Sequence, residues 1–126
     1  MISIDEFEDL LDEIAQEIPP VFFEELNGGI LVDPGHPCHP ESVDGNLYIM
    51  GEYRVHPAMG KYIVIYYGSF RMAYSELPLA ELRGEMRRVL LHEFRHHVEG
   101  RAGLRDLEIF DAEQIAGYKA EHKKEG

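Results

Sequence analysis

Residues 79–98 read Leu-Ala-Glu-Leu-Arg-Gly-Glu-Met-Arg-Arg-Val-Leu-Leu-His-Glu-Phe-Arg-His-His-Val. Leu79, Leu82, Met86, Val89, Leu90, Phe94 and Val98 recur at helical spacing, which gives one apolar face. Pro78 suits the first turn, and Gly100 and Gly103 end the pattern. A long amphipathic helix needs a surface to cover. The run before it, Lys61 to Phe70, contains Tyr62-Ile63-Val64-Ile65-Tyr66-Tyr67, β-branched and aromatic throughout. That composition predicts a strand buried on both faces. Leu47 to Tyr53 is a second strand, joined to the first through a turn at Pro57 to Gly60.

Upstream, Ser3 and Glu6 have the spacing of a capping box. Phe7, Leu10, Leu11, Ile14 and Ile18 follow at helical intervals, so residues 4–18 read as an amphipathic helix stopped by Pro19-Pro20. A helical turn over 20–26, a short β segment at Ile30-Leu31-Val32 and a proline- and glycine-rich loop over 33–45 come next. Asp111 is a good N-cap for a last helix, 112–124. The order predicts an α+β fold, a small sheet packed against an N-terminal helix and the long helix, with a C-terminal helix after it. A length of 126 residues fits one domain, 1–126.

Composition narrows the function. Hydrophobic residues are 44% of the chain, too many for a disordered segment. One cysteine allows no internal disulfide, and no apolar run approaches 18 residues. No basic start with an apolar stretch marks a secretory signal, so the expectation is a cytoplasmic protein without membrane contact. The net charge is −12. Residues 1–53 hold 13 of the 24 acids and no Lys or Arg, so the other 11 acids are matched against all 12 bases. Such a half repels phosphate, which argues against nucleic acid. It suits a basic partner, a basic peptide substrate, or the chain's own helix with Arg83, Arg87, Arg88 and Arg95.

The helix also carries His92-Glu93-Phe94-Arg95-His96, the H-E-x-x-H pattern. Residues four apart lie on one helix face, so two imidazoles reach one ion. Neutral imidazole suits a tetrahedral Zn²⁺, and a catalytic site takes three protein ligands and an open position. Glu93, next to the first histidine, can take a proton from a water the metal activates and pass it to a leaving amine. The chemistry expected is zinc-dependent peptide hydrolysis, with one Zn²⁺ and a peptide or protein substrate. The other class weighed is a zinc-stabilised interaction module with little turnover, which so short a chain also suits.

The helix Val89 to His97, with its doubled histidine His96-His97, resembles that of the small bacterial minimal zincins, zincin-like metallopeptidases. The acidic first helix running into Ile18-Pro19-Pro20 and the strand Ile63 to Gly68 extend the likeness over most of the chain. The resemblance implies a compact zincin-like domain, His92 and His96 as metal ligands and Glu93 as catalytic base. After the helix the chain departs from that pattern. The family has Gly three residues beyond the second ligand and an Asp soon after, whereas here residue 99 is Glu and the glycines are Gly100 and Gly103. The family Asp opens the next helix, which makes Asp111 its best equivalent and third ligand; Asp106, Glu108 and Glu113 compete.

His36-Pro37-Cys38-His39 places three potential ligands in the loop. No second Cys completes a zinc box, so a solvated proline-rich loop is the favoured reading, with a Cys38 cap on the metal as the other. His97 lies about 100° round the helix from His96 and is expected to pack or to support the site rather than ligate. Tyr53, Tyr66, Tyr67 and Tyr118 are candidate oxyanion donors, each with core packing as its default. A strand at 61–67 on a sheet edge would accept an extended peptide by strand addition.

Overall fold

The computed structural model describes residues 1–101 other than Asp44 and Asn46. The helix expected over 112–124, with Asp106, Glu108, Asp111, Glu113 and Tyr118, lies outside the described residues.

The chain is α+β. Helix α1 (Ile4–Gln16) begins at Ser3, whose hydroxyl accepts from Glu6 N while the Glu6 carboxylate accepts from Ser3 N, the capping box expected. A 3-10 turn (Pro20–Phe23) leads to strand β1 (Gly29–Asp33). Strands β2 (Gly51–His56) and β3 (Gly60–Tyr66), helix α2 (Tyr67–Ala73) and helix α3 (Leu79–Gly100) complete the described elements. The sheet order is β1-β3-β2, with β1 parallel and β2 antiparallel to β3. Ile63, Val64, Ile65 and Tyr66 are buried, as the composition of β3 requires. One core joins Phe7, Leu11 and Ile14 of α1, Ile63 and Ile65 of β3, and Leu82, Met86, Leu90, Phe94 and Val98 of α3.

Two boundaries differ from the sequence reading. Lys61 to Phe70 is not all strand: β3 stops at Tyr66 and the chain turns into α2. A Cβ on Gly68 would lie 2.4 Å from the Pro34 carbonyl oxygen and 2.5 Å from that of Gly35, so the bend passes directly beneath the loop leaving β1. The bend lets Tyr67 donate to the Ile2 carbonyl at 2.6 Å and seats Phe70 against Phe7. An apolar run does not by itself distinguish strand from buried helix, which is why the sequence overextends it. The strand expected at 47–53 begins at Gly51 and runs on to His56. Residues 47–49 instead pair within the loop: His39 N donates to Leu47 O, Ile49 N to Pro37 O, and Cys38 bridges Tyr48.

β3 is paired on both sides, so strand addition at 61–67 is excluded; among the described residues the edges are β1 and β2. Helix α3 lies against β2 and β3, and Gly51 permits the approach, since a Cβ there would stand 3.0 Å from Val89 Cγ1 and 3.1 Å from Ile65 Cδ1. The acids of the first half meet the cations of α3. Glu17 pairs with Arg83 and Arg87, and Glu24 and Glu25 both pair with Arg101. Among the described residues no helix is long and apolar enough to cross a membrane.

Gly68→Ala tests the bend. The added methyl meets backbone oxygens that no side-chain rotation can move, so a loss of about 2 kcal/mol or more is expected in urea unfolding. Gly100→Ala, with open space around its Cβ, should change stability by less than about 0.5 kcal/mol.

Candidate metal centre

The period of α3 sorts its side chains. With Phe94 and Val98 in the core, the stripe Arg88, His92, His96 turns outward and the stripe Val89, Glu93, His97 faces β2. Arg88, Val89, His92, Glu93 and His96 form one wall of a cleft of about 800 Å³. His39, Pro40 and residues 48–53, including Tyr48, Glu52 and Tyr53, line the rest of it. The volume is that of a small-ligand site.

His92 Nε2 and His96 Nε2 stand 3.2 Å apart, with ring planes at 89°. Two nitrogens each about 2.05 Å from a tetrahedral zinc would be separated by about 3.3–3.4 Å. The pair thus has the spacing of two ligands on one ion. Burial, then the charges of His96 and Arg88, hold the His92 pKa below the ordinary histidine value, which keeps its lone pair available at neutral pH.

Glu93 is 6% exposed. Burial pushes its carboxyl above the usual carboxylate range, nearby Glu52 adds to the rise, and His96 and the Tyr53 backbone N–H oppose it. The Tyr53 N–H is free to do so because of register. Tyr66 N donates to Met50 O, so strand alternation turns the N–H groups of Gly51, Tyr53 and Val55 away from β3.

His97 is fully buried and bonded at both ring nitrogens. Its Nε2 lies 2.7 Å from the Glu24 carbonyl oxygen, an acceptor only, so Nε2 carries the proton. Nδ1 then accepts from the Tyr53 hydroxyl at 2.9 Å. His97 thereby ties α3 to β2 and to the segment after the 3-10 turn, the supporting role expected of it. Tyr53 serves α3 twice, with its hydroxyl on His97 and its N–H toward Glu93.

Tyr66 and Tyr67 are committed elsewhere. Tyr66 donates to Glu52 Oε1 at 2.8 Å, and burial with that contact raises its pKa to about 12; Tyr67 donates to Ile2 O. Cys38 points at the Gly45 carbonyl at 3.6 Å and does not line the cleft. Arg95 pairs with Glu99 at 3.1 Å. His39 does line the cleft, a placement the loop reading missed because nothing local in His36 to His39 shows which residue the fold turns inward. Among the described residues no group of three His, Cys, Asp or Glu side chains converges on a metal position.

No family model and no curated protein matches the chain. Among solved structures, a conserved hypothetical protein from Thermo thermophilus is similar, at 28% sequence identity and a TM-score of 0.67. The match covers 80% of this chain and 98% of that one. It agrees with the α+β architecture, and its description names no activity.

The His97 link has a pH signature. Burial lowers its pKa, so the unfolded chain, with an ordinary histidine near 6.5, binds the proton first. Its stabilising contribution is therefore complete above about pH 6.5 and is lost as pH falls toward the folded value. His97→Phe should cost about 2 kcal/mol at pH 7.5, because Tyr53 and the Glu24 carbonyl lose their partner. The gap between wild type and variant in urea unfolding should narrow toward pH 5. A constant gap would show that His97 is not held neutral.

Proposed function

We propose that this chain is a zinc-dependent hydrolase of peptide bonds with a zincin-like domain. The observation that carries the reading is the 3.2 Å convergence of His92 Nε2 and His96 Nε2 beside a buried Glu93 at the wall of an open cleft. The 22-residue motif helix packed on an antiparallel edge strand supports the zincin-like assignment. So does the sequence likeness of residues 89–97 to the minimal zincins.

His92 and His96 would hold one Zn²⁺, with Asp111 as the third ligand that the sequence favours. When bound, zinc supplies Lewis acidity, polarising a substrate carbonyl and making water acidic near pH 7. Glu93 is the general base and then the general acid. Its pKa, lifted by burial, moves toward the operating pH, which improves proton acceptance from water and return to the departing amine. The Tyr53 N–H favours the charged carboxylate, and His97 holds Tyr53. Arg88, one turn before His92, stays in its ion pair with Glu85 and leaves the two imidazoles to the metal.

Calorimetric zinc titration should give one ion per chain, with His92→Ala or His96→Ala weakening it at least about 100-fold. Affinity should fall as pH is lowered, because the metal takes neutral imidazole and protons compete for it. Glu93→Gln should keep zinc and lose cleavage of a mixed peptide library by about 10²–10⁴-fold. It should also raise the melting temperature by a few degrees. A carboxyl whose folded pKa is raised is stabilising only below its unfolded value of about 4.5, and its charge costs stability at pH 7. Stoichiometric zinc with no Glu93-dependent cleavage would leave a zinc-stabilised interaction module instead.

A further inference from the structure

We infer that His39, in the loop facing the motif helix, is a catalytic residue of this cleft. Its Nε2–H donates to the carbonyl oxygen of the scissile peptide as that oxygen becomes a tetrahedral oxyanion. The inference deepens the peptidase reading and rests on it.

Water addition to a peptide carbonyl forms a C–O bond while the C=O π pair moves onto oxygen. The water proton goes to Glu93. Collapse restores C=O and breaks C–N, and the same proton passes to the leaving nitrogen. The charge on oxygen calls for a second donor besides the metal, fixed in advance. The polar groups lining the cleft are few. The Tyr53 hydroxyl is spent on His97, Glu52 is an acceptor for Tyr66 and Arg54, and Arg88 is held by Glu85. His39 and Tyr48 remain, lining the same cleft as His92 and His96.

His39 is the better prepared of the two. Its backbone N–H donates to Leu47 O at 2.7 Å and its carbonyl accepts from Ser42 N at 2.9 Å. Glu41 N donates to its Nδ1 at 3.1 Å. A backbone N–H can only donate, so Nδ1 is an acceptor and the neutral ring carries its proton on Nε2. Pro40 next in sequence restricts the His39 backbone to the extended region. Two backbone hydrogen bonds and a proline therefore hold the His39 backbone, one hydrogen bond holds its exposed ring, and among the described residues nothing accepts from the Nε2–H. His56 is held by the same kind of local contact, its Nδ1 accepting from Ala58 N and Met59 N, but it does not line the cleft.

The test uses the full chain, with His39→Ala, His39→Gln and Tyr48→Phe, and phenylphosphonate as a tetrahedral oxyanion probe. Zinc affinity, phenylphosphonate affinity of the zinc-loaded protein, histidine side-chain ¹⁵N spectra, and kcat and KM on the peptide library are measured. His39→Ala should leave zinc affinity unchanged and weaken phenylphosphonate at least about 10-fold. It should lower kcat by about 10²-fold with KM nearly constant. His39→Gln, which keeps an N–H donor, should recover part of both losses. The His39 nitrogens should be unmoved by zinc and shift on adding phenylphosphonate. Unchanged phenylphosphonate affinity in His39→Ala overturns the assignment, as does a loss confined to Tyr48→Phe. A His39 nitrogen that shifts on zinc alone, with weaker zinc binding in His39→Ala, would make it a metal ligand and equally overturn it. A wild type that takes up no zinc removes the peptidase reading first, and that is read directly from the titration.

Discussion

Helix α3 has to serve two surfaces with one 3.6-residue period, and the site follows from that constraint. Burying Leu82, Met86, Leu90, Phe94 and Val98 in the core turns His92 and His96 outward onto a shared stripe. The neighbouring stripe, Glu93 and His97, is then directed at β2. Both residues of that stripe meet Tyr53, one through its N–H and one through its hydroxyl. Gly51 is where the strand gives way to let the helix come this close. Core packing, the direction of Glu93 and the spacing of the two imidazoles are thus one rotational setting of one helix.

The acidic first half has a structural use. Glu17 reaches Arg83 and Arg87, and Glu24 with Glu25 clamps Arg101, whose side chain is only 9% exposed. Contacts between exposed partners contribute little to stability. Their effect here is to fix how α1 and the 3-10 turn sit along α3, from its first turns to its C-terminus. The Glu24 carbonyl that receives His97 comes from the same segment, so this electrostatic seam also braces the polar link behind the site.

A carboxylate kept 6% exposed is costly to the fold, and the structure offsets only part of that cost with the Tyr53 N–H and His96. Under the proposed peptidase reading, the same burial that penalises the charge moves Glu93 toward the pKa a general base would need. On that reading stability and activity would pull in opposite directions at this residue. His97 shows the inexpensive alternative: buried completely, but neutral and bonded at both nitrogens.

Periodicity, caps and composition in the chain were enough to read α1 with its Ser3–Glu6 box, the long motif helix and the buried character of Ile63 to Tyr66. These depend on contacts a few residues apart. The i, i+4 histidines and the adjacent Glu93 were legible for the same reason, since helical geometry alone brings them together. What sequence could not carry were relations between distant segments. The strand ended at Tyr66 rather than Phe70 because Gly68 must pass under Pro34 and Gly35. The central place of β3 came from its pairing with β1 and β2 on either side. Which tyrosines were spent, and that His39 rather than Cys38 lines the cleft, depended on hydrogen bonds between residues 44 and 65 positions apart and on the course of one loop. Local sequence sets which faces exist; only tertiary packing decides what each face meets, because that depends on surfaces the rest of the chain must first build.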